Sequence, residues 1–171
     1  MTATYQHPDE WPTKRAWTSF CTGLSRGFGE ERITQAIRDM GVSCVPQYPV
    51  GRYNIDVAIP DSRLAIEVQR SWNMLDHKLK TRADYLSSHG WQLLWVDLLE
   101  SSRKTSEHDI IDVDMIQKYV HFAIVALARK RVPGVHWVIG GDDRLGRRQI
   151  QRSLERVTGM RAILLSDVLY Q

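Results

Sequence analysis

The sequence predicts an α/β domain whose core runs helix, β-hairpin, helix, strand, followed by a helical and basic extension. Three observations carry this expectation. Apolar residues recur at helical spacing on either side of residues 53–69, they alternate with period two inside that stretch, and Pro60-Asp61-Ser62-Arg63 interrupts the alternation with turn chemistry. A chain of 171 residues, 43% hydrophobic and 25% charged, can enclose one sizeable core, so a single globular domain is expected rather than disorder.

Residues 1–28 hold the turn-prone pairs His7-Pro8 and Trp11-Pro12 and the segment Gly27-Phe28-Gly29, without a sustained period. They read as an irregular arm with one short helix at most. Helical spacing starts at Glu30: Ile33, Ile37 and Met40 share a face, and Gly41 supplies the stop. Glu30 extends that buried stripe, and a carboxylate on a buried face needs a reason.

From Tyr53 to Ile59, Tyr53, Ile55, Val57 and Ile59 occupy one face and Asn54, Asp56 and Ala58 the other. From Leu64 to Gln69, Leu64, Ile66 and Val68 share a face opposite Ala65, Glu67 and Gln69. A loop symmetric about positions 61 and 62 sets Asp56 directly across from Glu67. After the hairpin, Leu75, Leu79, Ala83 and Leu86 mark a helix ending at His89-Gly90, and residues 91–96 form a buried strand in which Trp91 and Trp95 pack in the core. An acidic, polar segment follows. Residues 115–130 then read as a largely buried helix, 136–139 as a short strand, 146–158 as an amphipathic helix and 162–165 as a last strand.

Several function classes are disfavoured. No run approaches the roughly 18 apolar residues of a membrane span, and the first ten residues lack the basic and apolar regions of a signal peptide, so a cytoplasmic protein without membrane contact is expected. Cys21 and Cys44 lie in no metal-ligand spacing and read as reduced thiols. The glycines of residues 23–29 do not form GxGxxG or a P-loop, and the six histidines are scattered without HxxxH or HExxH.

The net charge of +3 is mild, but nine Lys/Arg stand against three acids between positions 129 and 161. That surplus of six leaves the rest of the chain at −3 and makes the tail the polyanion-facing candidate, with a solvated basic face as the other reading. Arg144, Arg148, Arg152 and Arg156 recur every four residues, opposite Ile150, Leu154 and Val157, which suits a helix lying along a phosphate backbone.

Two carboxylates opposed on a sheet have Cβ atoms about 5 Å apart and repel, so something positive belongs there. A hard divalent cation on oxygen ligands is the usual answer; magnesium favours one or two carboxylates, waters and phosphate oxygens. Such an ion orients a water, lowers its pKa and neutralises charge on a scissile phosphate, which is phosphodiester hydrolysis. Gln69, one pleat beyond Glu67, can hydrogen-bond the attacking water but cannot act as a base. Solvated acids on an exposed hairpin face are the alternative, and the apolar helices on both flanks argue against it.

Ile55-Asp56, with Glu67 eleven positions on inside Ala65-Ile66-Glu67-Val68-Gln69, resembles the PD-(D/E)XK nuclease superfamily, with Gln69 where Lys is commonest. The phrase through Arg70-Ser71, followed by Lys78, Arg82, Tyr85, Leu86 and Gly90-Trp91, resembles in particular the CoiA-like competence nuclease domain. The resemblance covers about residues 29–97. It implies a restriction-endonuclease-like core, read over 29–111, and a Mg²⁺- or Mn²⁺-dependent deoxyribonuclease, and it leaves both ends unexplained; residues 112–171 read from their basic charge as a DNA-contact extension. Asp56 and Glu67 would then hold the metal, with Gln69 and Glu30 completing the catalytic set. Lys78 and Arg82, one turn apart on the following helix, and the C-terminal Arg144, Arg148, Arg152 and Arg156 would contact DNA. A homodimer or homotetramer is expected where both strands are cut at a defined site. The same fold hosts homing endonucleases, Holliday-junction resolvases, phage or mobile-element nucleases and inactive DNA-binding scaffolds, and the missing Lys at position 69 keeps the last of these in view.

Overall fold

The computed structural model describes residues 11–23, 29–69, 77–97, 117, 118, 120, 121, 124, 135–139, 152, 155, 156 and 162–164. They form a mixed α/β fold in which three helices accompany a mixed sheet. The elements run α1 (Lys14–Thr22), α2 (Glu30–Asp39), β1 (Val45–Val50), β2 (Tyr53–Ile59), β3 (Leu64–Gln69), α3 (His77–Ser88), β4 (Gln92–Asp97), β5 (Val135–Ile139) and β6 (Ala162–Leu164). Strand order follows chain order. β1, β2 and β3 are antiparallel neighbours, while β4, β5 and β6 add successively in parallel to β3.

The short helix of the arm is α1, started by Thr13, whose Oγ1 accepts the Ala16 N–H, and ended at Gly23 with φ +61°. Two bonds tie it to the sheet: Thr13 N–H donates to the Gly51 carbonyl at 2.7 Å, and Asn54 Nδ2 donates to the Ala16 carbonyl at 2.9 Å. In α2, Glu30 and Glu31 occupy the first turn, where the helix dipole favours negative charge. Of its apolar stripe, Ile33 and Ile37 are 0% exposed and Met40, just past the helix, is partly buried. They pack with Val57, Ile59, Leu64, Ile66, Leu94, Val96 and Val120 in one apolar cluster.

The hairpin register matches the sequence expectation, with Val57 paired to Ile66, Ala58 to Ala65 and Ile59 to Leu64. The connection is a 3₁₀ turn over Pro60–Ser62 closed by Arg63 at φ +53°. Alternation fails at the far end of β2. Tyr53, grouped by period with Val57 and Ile59, lies instead against Tyr85 of α3, ring centroids 5.2 Å apart. Trp91 and Trp95 are buried, as expected for core residues.

Strand β1 is absent from the sequence expectation. Pro46 and Pro49 interrupt its pattern, and proline is confined to sheet edges, which is where β1 lies. Residues 117, 118, 120 and 121 are helical inside the expected 115–130 helix, as are 152, 155 and 156 inside 146–158. Among the described residues no helix is long and apolar enough to cross a membrane. Cys21 and Cys44 are free thiols.

Candidate active site

The site grows out of one row of the sheet at which the strands stop pairing. The β1–β2 ladder passes from Pro46 and Val57 to Tyr48 and Ile55, skipping Gln47 and Asp56. The β2–β3 ladder ends at Val57 and Ile66, one residue short of Asp56 and Glu67. Gln47, Asp56 and Glu67 therefore stand side by side on neighbouring strands. In place of a ladder bond, the Val68 N–H donates to Asp56 Oδ2 at 2.8 Å.

The positive partner that opposed carboxylates require is Arg82, delivered by α3. Its Nη2 lies 2.7 Å from Glu67 Oε2, 3.0 Å from Oε1 and 3.8 Å from Asp56 Oδ1. One nitrogen within ion-pairing range of both acids places them on the same side of the sheet. The guanidinium also donates to the Asn54 carbonyl, and it lies 5.9 Å from the Tyr53 ring centre. Its Nε is buried without a hydrogen-bond partner, so donor capacity remains.

Glu30 joins the cluster through a residue that the sequence reading passed over. Gln47 Nε2 donates to Glu30 Oε2 at 2.7 Å, and Gln47 stands opposite Asp56 in the register, where its side chain helps to lower the Asp56 carboxyl. Glu30, Gln47 and Glu67 are each 5% exposed, so all three polar groups are buried and must be satisfied internally.

Burial controls the protonation of this cluster. Desolvation pushes the Glu67 carboxyl up to about 8; Arg82 opposes the rise, while the neighbouring Asp56 and Glu30 charges add to it. Asp56 is also raised by burial, against the pull of Arg82, the Val68 N–H and Gln47. Burial by itself would lower Arg82, but Glu67 and Asp56 overcome it and hold the guanidinium more firmly charged than usual. A single cation does not compensate both acids.

Of the residues expected at the site, Asp56, Glu67, Glu30 and Arg82 come together. Gln69 ends β3 with its backbone beside Asp97, and Lys78 lies on α3; the side chains of both fall outside the described residues. Arg144 and Arg148 lie outside them too, whereas Arg152 and Arg156 are exposed helical residues. Arg82, expected to contact DNA, is bonded instead to the carboxylates, because α3 crosses close enough for its side chain to reach Glu67. Gln47 was legible in one way only. Reading Gly51-Arg52 as a two-residue turn pairs position 47 with position 56, by the symmetry argument that paired 56 with 67.

Among the described residues no three His, Cys, Asp or Glu side chains gather closely enough to hold a metal ion by themselves. Asp56 and Glu67 form a two-carboxylate site, with Glu30 one hydrogen bond behind. Compared with family models, curated proteins and solved structures, the chain matches none.

Proposed function

We propose that the chain is a metal-dependent DNA endonuclease on a restriction-endonuclease-like core, with Asp56 and Glu67 at its active centre. The observation that carries this reading is the pair itself: the buried Glu67 and half-buried Asp56 carboxylates on adjacent strands, both within 4 Å of one Arg82 nitrogen, with Glu67 pushed up to about 8. Their donors are hard oxygens and they lack one positive charge, which fits Mg²⁺ or Mn²⁺ completed by waters and phosphate oxygens. A bound dication would supply charge to the scissile phosphate and acidify the attacking water.

The chain's own groups do the rest. Asp56 and Glu67 hold the ion, Glu30 supports Asp56 from behind through Gln47, and Gln69 at the end of the same strand orients the water. Arg82 fills the role of the missing motif lysine, supplying positive charge beside the two acids. Lys78 and the row Arg144, Arg148, Arg152 and Arg156 bind the DNA backbone, a contact set whose affinity falls steeply with salt.

One observation favours a second reading, a DNA-binding protein on an inactive nuclease scaffold. Arg82 already occupies the space beside Glu67, and a lasting ion pair there would exclude a metal. Incubating plasmid, linear, single-stranded and branched DNA with and without Mg²⁺ or Mn²⁺ separates the two. Cleavage lost in Asp56→Ala and Glu67→Ala supports the enzyme; salt-sensitive binding with no cleavage under either metal supports the scaffold. A preference for branched DNA would narrow the enzyme to a junction resolvase, and one defined cut in long DNA to a homing endonuclease.

A further inference from the structure

Gln47 combines three properties that seldom coincide. It is buried in an edge strand, its backbone is left-handed at φ +52°, and its amide is bonded to Glu30 of α2 from the register position opposite Asp56 of β2. Residues other than glycine, asparagine and aspartate rarely adopt that backbone conformation, and such outliers persist where surrounding contacts overdetermine them. Here the contacts are visible. The Gln47 carbonyl accepts from Asn54 Nδ2 at 3.0 Å, and the same nitrogen donates to Ala16, which pins the strand from the α1 side. The side chain thereby reaches Glu30, at the start of α2, from the position opposite Asp56 in β2. A primary amide nitrogen carries two hydrogens, and the bond to Glu30 uses one of them.

We infer that Gln47 is a positioning residue, a neutral strut that shares its amide hydrogens between Glu30 and Asp56 and so fixes the Asp56 carboxylate in the gap of the sheet. The choice of amide is chemically specific. A lysine there would add a cation beside the acids and compete with any ion that they bind, whereas an apolar residue would remove the donor that Glu30 Oε2 has in Gln47. The strut explains why a buried glutamate begins α2: Glu30 is the anchor that orients the amide. This inference rests on Asp56 being the functional carboxylate, but its test does not require the protein to cut DNA.

The Val68 N–H is the reporter, since its bond goes to Asp56 Oδ2 rather than to a neighbouring strand. Residue-resolved amide exchange is measured by NMR on the full chain and on Gln47→Gly and Gln47→Asn. Both replacements suit a left-handed backbone, and neither reaches both carboxylates. Val68 should exchange at least tenfold faster in each variant. Ile33 and Gln92, whose amides donate to the Gly29 and Arg63 carbonyls, should stay within about twofold of the parent. Equal acceleration at all three sites would make Gln47 a mere packing residue, and unchanged Val68 exchange would remove the strut; either outcome overturns the inference. If the parent chain cleaves DNA, the variants should lose at least tenfold in kcat with KM for DNA held, and an unchanged kcat would also overturn it. If the parent does not cleave, the nuclease reading falls and the exchange result decides the role of Gln47.

Discussion

Asp56 Oδ2 accepts the Val68 backbone N–H at 2.8 Å, so a side chain performs the task of a strand carbonyl where the hairpin opens. Structure and chemistry therefore make separable demands on this residue. Asp56→Asn keeps an acceptor for Val68 and removes a half-buried charge, and its stability should lie within about 1 kcal/mol of the parent at pH 7. Asp56→Ala orphans the N–H and should cost about 1–3 kcal/mol. On the nuclease reading proposed above, cleavage should disappear in both. Urea denaturation beside a plasmid assay checks this, and an Asn variant that still cuts would remove Asp56 from the chemistry.

Glu67 makes stability depend on pH. Its carboxyl titrates near the ordinary 4.5 in the unfolded chain and near 8 when folded, so between those values the folded state binds more protons. The stabilisation is fully present below about 4.5 and is lost as pH rises through about 8. Asp56, raised as well, acts in the same direction. Melting followed from pH 5 to 8.5 without divalent ions should show Tm falling by roughly 3 °C or more, and Glu67→Gln should flatten much of the slope. A Tm that climbs with pH would contradict this account.

Arg82 is the cation that both carboxylates share. Arg82→Met leaves the buried Glu67 and half-buried Asp56 without their shared cation, and the expected cost is about 3 kcal/mol, the lower end for a broken buried pair because the side chain is 26% exposed. Glu67→Gln in the same chain should recover a substantial part of that loss. A double-mutant cycle measures the coupling, and simple additivity would mean that the two residues do not interact.

Gly51 has φ +53°, and a Cβ built there would lie 1.9 Å from the Tyr85 hydroxyl. Gly51→Ala thus meets both a backbone penalty and a collision between the β1–β2 turn and α3. The expected destabilisation is about 2 kcal/mol, read by chemical denaturation, and Tyr85→Phe should relieve part of it. No change on the alanine substitution would mean that the turn and α3 are less closely packed than described.

Much of this fold was legible because its elements obey simple periods. Ile33 and Ile37 announce α2, the alternation over 53–59 and 64–69 gives the hairpin, and four turn residues fix its register. What escaped depended on geometry without a period. β1 is broken by Pro46 and Pro49, and Gln47 matters only because its backbone turns left-handed. Opposed carboxylates demanded a positive charge, yet spacing does not say whether an ion or a side chain provides it. Arg82 was visible on the right helix, but which way its guanidinium points depends on where α3 crosses the sheet.

Strand β1 bounds the sheet, and Pro46 and Pro49 contribute no N–H along it. Another chain trying to continue the sheet there would find no donor wherever one of these two nitrogens turns outward. The margin is thus hindered against fibre-like stacking by two rings rather than by charge.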